Sequence, residues 1–177
     1  MTRWFIAIVA MFATAPSIAA EGIDRPFGFE LGQKIRVEQT NFKLVRRADR
    51  EHQPAGLMSE LRLNSYTPVR VVPKPHPLLD RYVILATDYA GLCSVAGSAK
   101  VDGRNPQQLF DTLHRQLSEA LGDPTSKLAS TASSAVWRPN GPVNVVTLVA
   151  ADDSVLLKFD FSNIGECEPS RAGNPFR

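Results

Sequence analysis

Few side chains in this sequence could do chemistry near neutral pH, and they are scattered. The chain has three histidines and two cysteines: His52, His76, His114, Cys93 and Cys167. A zinc site needs three or four His, Cys or carboxylate ligands drawn together, commonly as HExxH or paired CxxC. Neither spacing occurs, so no metal ligand is expected. A serine nucleophile on an elbow would read GxSxG between a strand and a helix, because the strained turn is what exposes the hydroxyl. The nearest text, Gly91-Leu92-Cys93-Ser94, departs from that pattern and sits in a hairpin, so Ser94 reads as a strand residue. Cys93 with His114 as its base is the sharpest nucleophilic arrangement available, but His114 lies on the flank of an apolar helix face, where a histidine packs more often than it catalyses. Adjacent acids at Asp152 and Asp153 fall in a turn between strands and are expected to cap it and stay solvated. No GxGxxG or GxxxxGKS/T phosphate loop is present. The expectation is a chain with no catalytic residue, no metal and no cofactor, and not an enzyme.

The cysteines have a structural use instead. Arg3 supplies the positive n-region of a secretory signal, Trp4 to Ala13 the apolar h-region, and Pro16 the helix break before the small residues Ser17 and Ala19. Cleavage after Ala19 and export to the periplasm are therefore expected. An apolar stretch of about ten residues falls short of the ~20 that span a bilayer, so no transmembrane anchor is expected. The cleavage region also lacks a Cys that could carry a lipid. Two thiols in an oxidising compartment allow one intramolecular pairing, Cys93 with Cys167. That disulfide would close a loop of about 75 residues, worth roughly 4 kcal/mol on the chain-entropy argument.

Composition narrows the class further. At 177 residues the chain has the size of one domain. Hydrophobic residues make up 44% and charged residues 21%, enough apolar surface to bury a core and too little charge for whole-chain disorder. The formal charge is +2, from 20 Lys and Arg against 18 Asp and Glu, which gives no reason to expect a nucleic-acid partner. The organisation read from these features is a signal over residues 1–19, one domain over 20–168 and a flexible polar tail over 169–177.

The elements follow from periodicity and turn chemistry. Phe27, Phe29 and Leu31 alternate with Gly28, Glu30 and Gly32 and read as a short strand. Gln33 to Arg50 matches neither period, and Glu51 to Gly56 reads as a loop. Pro68 to Pro77 holds four prolines, and Pro73-Lys74-Pro75-His76-Pro77 lacks the backbone donors of a helix or central strand, so an extended surface connection is expected. Tyr82 to Thr87 and Leu92 to Ala96 flank Asp88-Tyr89-Ala90-Gly91 as a hairpin. Asn105 can cap a helix, Pro106 suits its first position and Gln108 completes a capping box. Leu109, Phe110, Leu113, Leu117, Ala120 and Leu121 then share a face, and Gly122 with Pro124 stops the helix. Ala135 to Arg138, Val143 to Ala150 and Val155 to Ser162 form a meander. In its last strand Val155, Leu157, Phe159 and Phe161 should meet the helix while Leu156, Lys158, Asp160 and Ser162 face mostly water. The fold class is α+β: an antiparallel sheet with one main amphipathic helix packed on it and a single disulfide.

Two stretches leave surface for a partner. Lys43, Arg46, Arg47 and Arg50 would share a face if helical, next to Phe42, Leu44 and Val45, and would suit anionic headgroups or an acidic protein surface. Lys74 and His76 belong to the proline loop. Arg46, Arg47, Arg50, Lys74 and His76 are the candidate partner-binding residues; a solvated helix face and a stiff loop are the plain alternatives.

Taken in order, Phe27-Gly28 with Gly32, the Gly91-Leu92-Cys93 hairpin, the helix ending Leu121-Gly122-Asp123-Pro124, Trp137, and Phe159-Asp160-Phe161 with Asn163 before Cys167 resemble small exported hypothetical proteins of proteobacteria. The likeness covers residues 22 to 168. It implies the fold and the disulfide and brings no catalytic residue. The function expected is that of a non-enzymatic binding module acting on another envelope protein, such as an immunity or inhibitor protein. An envelope assembly accessory and a hydrolase with an unrecognised site are the alternatives.

Overall fold

The computed structural model describes residues 22–35, 67–69, 71–87, 89–101, 105–126, 133–151 and 153–167. Three strands, β1 (Thr67–Val69), β2 (Arg81–Thr87) and β3 (Gly91–Lys100), precede the helix α1 (Pro106–Leu121). Three more follow it, β4 (Ser133–Trp137), β5 (Val143–Ala151) and β6 (Ser154–Phe161), and a short helical turn, α2 (Ile164–Cys167), comes after them. All six strands join one sheet in the order β1-β2-β3-β6-β5-β4, and every pairing is antiparallel. The α+β class is as expected.

α1 begins and ends where local chemistry dictates. Asn105 Oδ1 accepts from the Gln107 N–H at 2.9 Å and Pro106 occupies the first turn, satisfying and removing donors that a helix start leaves orphaned. At the other end Gly122 takes a positive φ of 80° and donates its N–H to Ser118 O, while Trp137 Nε1 donates to Gly122 O at 2.9 Å. The helix lies across β4, β5 and β6. Phe110, Leu113 and Leu117 are buried in one cluster with Trp137, Val146, Leu148, Val155, Leu157, Phe159 and Phe161.

Several expectations need correction. Phe27 to Leu31 is no strand: Pro26–Gly28 is a single 3-10 turn, with Phe27 at φ 56°. The alternation arose because this turn drops Phe27 and Phe29 into the same core. The Phe27 ring is clamped edge-on between Tyr82 at 4.9 Å and Phe159 at 5.5 Å, and such packing over-determines a backbone conformation that would otherwise be unfavourable. The proline segment is not purely a connection, since Pro68 sits in β1 opposite Val83; a proline is admissible on an edge strand, where its missing N–H interrupts no central ladder. β3 runs to Lys100, beyond Ala96. Cys167 belongs to α2.

The second face of β6, expected to be mostly wet, is largely covered. Leu156 and Asp160 are buried, and Lys158 keeps only 15% of its side chain exposed. A second cluster explains part of this cover: Leu85, Cys93, Ala96, Leu156 and Cys167 pack together, with Val83, Ala90 and Ile164 against them. A β-bulge aims Cys93 into that cluster. Leu85 pairs with Ser94 and Ala86 with Leu92, so Cys93 is the extra residue, and a bulge puts two successive side chains on one face.

Candidate functional site

The Cys93–Cys167 disulfide is formed, with Cα atoms 6.1 Å apart, and it fastens α2 to the end of the sheet where β2 turns into β3. That end is tied from several directions. Thr87 Oγ1 accepts from the Ala90 N–H at 3.0 Å. Gly32 donates to Leu92 O at 3.0 Å and Leu92 donates to Gln33 O at 2.9 Å, so the segment after the Phe27 turn runs along the start of β3. Asn163 Nδ2 reaches Ala90 O at 3.2 Å and Leu92 O at 3.3 Å. Lys34 Nζ donates to Tyr89 O at 2.8 Å. Gly91, at φ 71°, lies so close to Gly32 that a Cβ there would collide with the Gly32 carbonyl; this is the approach for which glycine is required.

Out of this pinned turn stands Tyr89, 85% exposed. Leu31, in the segment that braces the turn, is also exposed. A tyrosine offers a large rigid contact area with two rotatable bonds and a polar tip, and here the backbone beneath it is already fixed. The sequence carried a signal for it, an aromatic where turns favour Gly, Pro, Asn, Asp or Ser.

The proline loop holds a different arrangement. Lys74 is exposed, with its N–H on Phe27 O at 3.0 Å. His76 is only half-exposed. Its backbone N–H donates to Tyr82 Oη at 2.7 Å, and the tyrosine proton is within reach of His76 O at 3.2 Å and Leu79 O at 3.3 Å. His76 Nδ1 accepts from the Leu78 N–H at 3.3 Å. Burial holds the ring's pKa below the usual histidine value, and the Gln116 amide beside it opposes that shift more weakly. His76 therefore lies against α1 rather than projecting as a surface contact. Beyond it a cleft of about 510 Å³ runs between α1 and the loop, walled by Pro77, Leu78 and Leu79 on one side and Gln108, Leu109 and Thr112 on the other.

The remaining sequence candidates disperse. His114 packs between Phe110 and Trp137, with ring centroids at 5.7 and 5.3 Å, on the helix side of the sheet, whereas Cys93 belongs to the cluster on the opposite side. They form no nucleophile–base pair. Ser94 is fully buried and donates to Asp160 Oδ1 at 2.7 Å. Among the described residues no group of three or more His, Cys, Asp or Glu gathers as a metal would need, and no helix is long and apolar enough to cross a membrane. Arg46, Arg47 and Arg50 lie outside the described residues, as do His52, Asp152, the signal segment and the tail. No protein family, curated protein or solved structure matches the chain.

Proposed function

We propose that this chain is an exported, periplasmic binding module that docks on another envelope protein through the stapled end of its sheet, in the manner of an immunity or inhibitor protein. The observation that carries the reading is Tyr89, 85% exposed on a turn fastened by the disulfide, Asn163, Lys34 and the Gly32 segment. A preorganised loop loses little conformational entropy on docking, and tyrosine is among the residues most often found to dominate interface energies.

The test is capture from a periplasmic extract on the immobilised chain, wild type against Tyr89→Ala, with the paired charge reversals Arg46→Glu and Arg47→Glu alongside. A partner held by wild type and weakened about tenfold or more by Tyr89→Ala, with the disulfide intact in both, supports the reading. Retention unaffected by Tyr89→Ala but lost on charge reversal moves the docking surface to the basic segment. A hydrolytic activity abolished by His114→Ala, with the fold preserved, overturns a binding role.

A further inference from the structure

The proline loop touches α1 through one titratable side chain. Because His76 Nδ1 accepts from the Leu78 N–H, the neutral ring keeps its proton on Nε2, the nitrogen left to meet Gln116. Both Nε2 and Gln116 Oε1 are buried, and among the described residues neither completes a hydrogen bond, although the Gln116 side chain lies beside the ring. A second proton can enter only at Nδ1, and it would set an N–H against the Leu78 N–H, turning an attraction into a donor–donor clash. The same event would place a positive charge in a half-buried site.

The surroundings offer that charge little compensation. Tyr82 from β2 and Gln116 from α1 are the side chains that meet the residue, and both are uncharged. Lys74, Asp80 and Arg81, the charged residues of the loop and the start of β2, are exposed, as are Arg115 and Glu119 on α1. The affected segment is also a wall of the cleft, through Pro77, Leu78 and Leu79.

We propose that His76 is an acid-released latch: on gaining its second proton it frees the 76–79 segment from α1 and moves the Pro77, Leu78 and Leu79 wall off the cleft. The device stands independently of where a partner docks, so its test and the Tyr89 test fail separately.

The experiment follows the His76 ring signals by NMR together with hydrogen exchange at the Leu78 and Leu79 amides, in the full mature chain from about pH 8 to about pH 5. Protection at Leu78 should fall about tenfold or more, after correction for the intrinsic rate, with the same midpoint as the ring titration. Gln116→Glu places a carboxylate beside the ring and should carry both midpoints to higher pH. His76→Gln should abolish the transition. Constant protection while His76 titrates overturns the latch, and so does a Gln116→Glu variant with unmoved midpoints, even if His76→Gln does not fold.

Discussion

Ser94 and Asp160 are register partners across the β3–β6 ladder, and the serine hydroxyl donates to Asp160 Oδ1 at 2.7 Å while Lys158 Nζ meets Oδ2 at 2.9 Å. The hydroxyl is also within 2.9 Å of Phe159 O. Hydrogen bonds to charged groups contribute about 1.5–3 kcal/mol, and Ser94→Ala is expected to lower stability by about that amount in urea unfolding. An unchanged midpoint would mean that water replaces the hydroxyl at no cost.

Gly91 and Gly122 both have positive φ, 71° and 80°, but only Gly91 is crowded, since nothing lies within 4 Å of a Cβ built on Gly122. Gly122→Ala should cost about 1 kcal/mol of backbone strain, and Gly91→Ala several kcal/mol, because the Gly32 segment must also move. Thermal melts of the two variants compare them directly, and equal losses would contradict the close approach.

Leu113 and Leu117 are fully buried beneath α1. Truncating either to alanine should cost about 2–5 kcal/mol, the range for a cavity in a packed core. Calorimetry showing no loss in both variants would mean that the helix is not docked on the sheet.

Burial, helped by nearby Asp80 and opposed by the hydrogen bond with His76, holds the Tyr82 pKa above its ordinary value. The folded chain keeps that proton where the unfolded chain loses it. Its contribution to stability is therefore present below about pH 10 and lost above it. Tyr82→Phe should cost about 1–3 kcal/mol at neutral pH, because the His76 N–H loses its acceptor, and should flatten the alkaline limb of stability against pH.

What the sequence made legible was local. Asn105, Pro106, the spacing of Phe110, Leu113 and Leu117, and Gly122 state the helix within one stretch of chain, and the Asp88 to Gly91 turn does the same for the hairpin. The alternation at Phe27 mimics a strand because a 3-10 turn with positive φ at Phe27 and Gly28 also places alternate side chains in the core. The deciding contacts, Tyr82 and Phe159, lie far along the chain. The buried second face of β6 was equally hidden, because its cover includes α2, brought there by Cys167 and a bulge at Cys93. The disulfide was readable from the presence of just two cysteines and the expectation of export, while Tyr89 read only as part of a turn.

The strand order has a consequence for assembly. β3 and β6 meet at the middle of the sheet, yet α1, β4 and β5 separate them in sequence, so either half of the sheet taken alone has one raw strand edge that only the other half covers. Two copies unfolding side by side present the same pair of edges and can exchange halves, giving a swapped dimer with native pairings throughout. The Cys93–Cys167 bond crosses that central seam: formed within one chain it forbids the exchange, and formed between two it would make the dimer permanent.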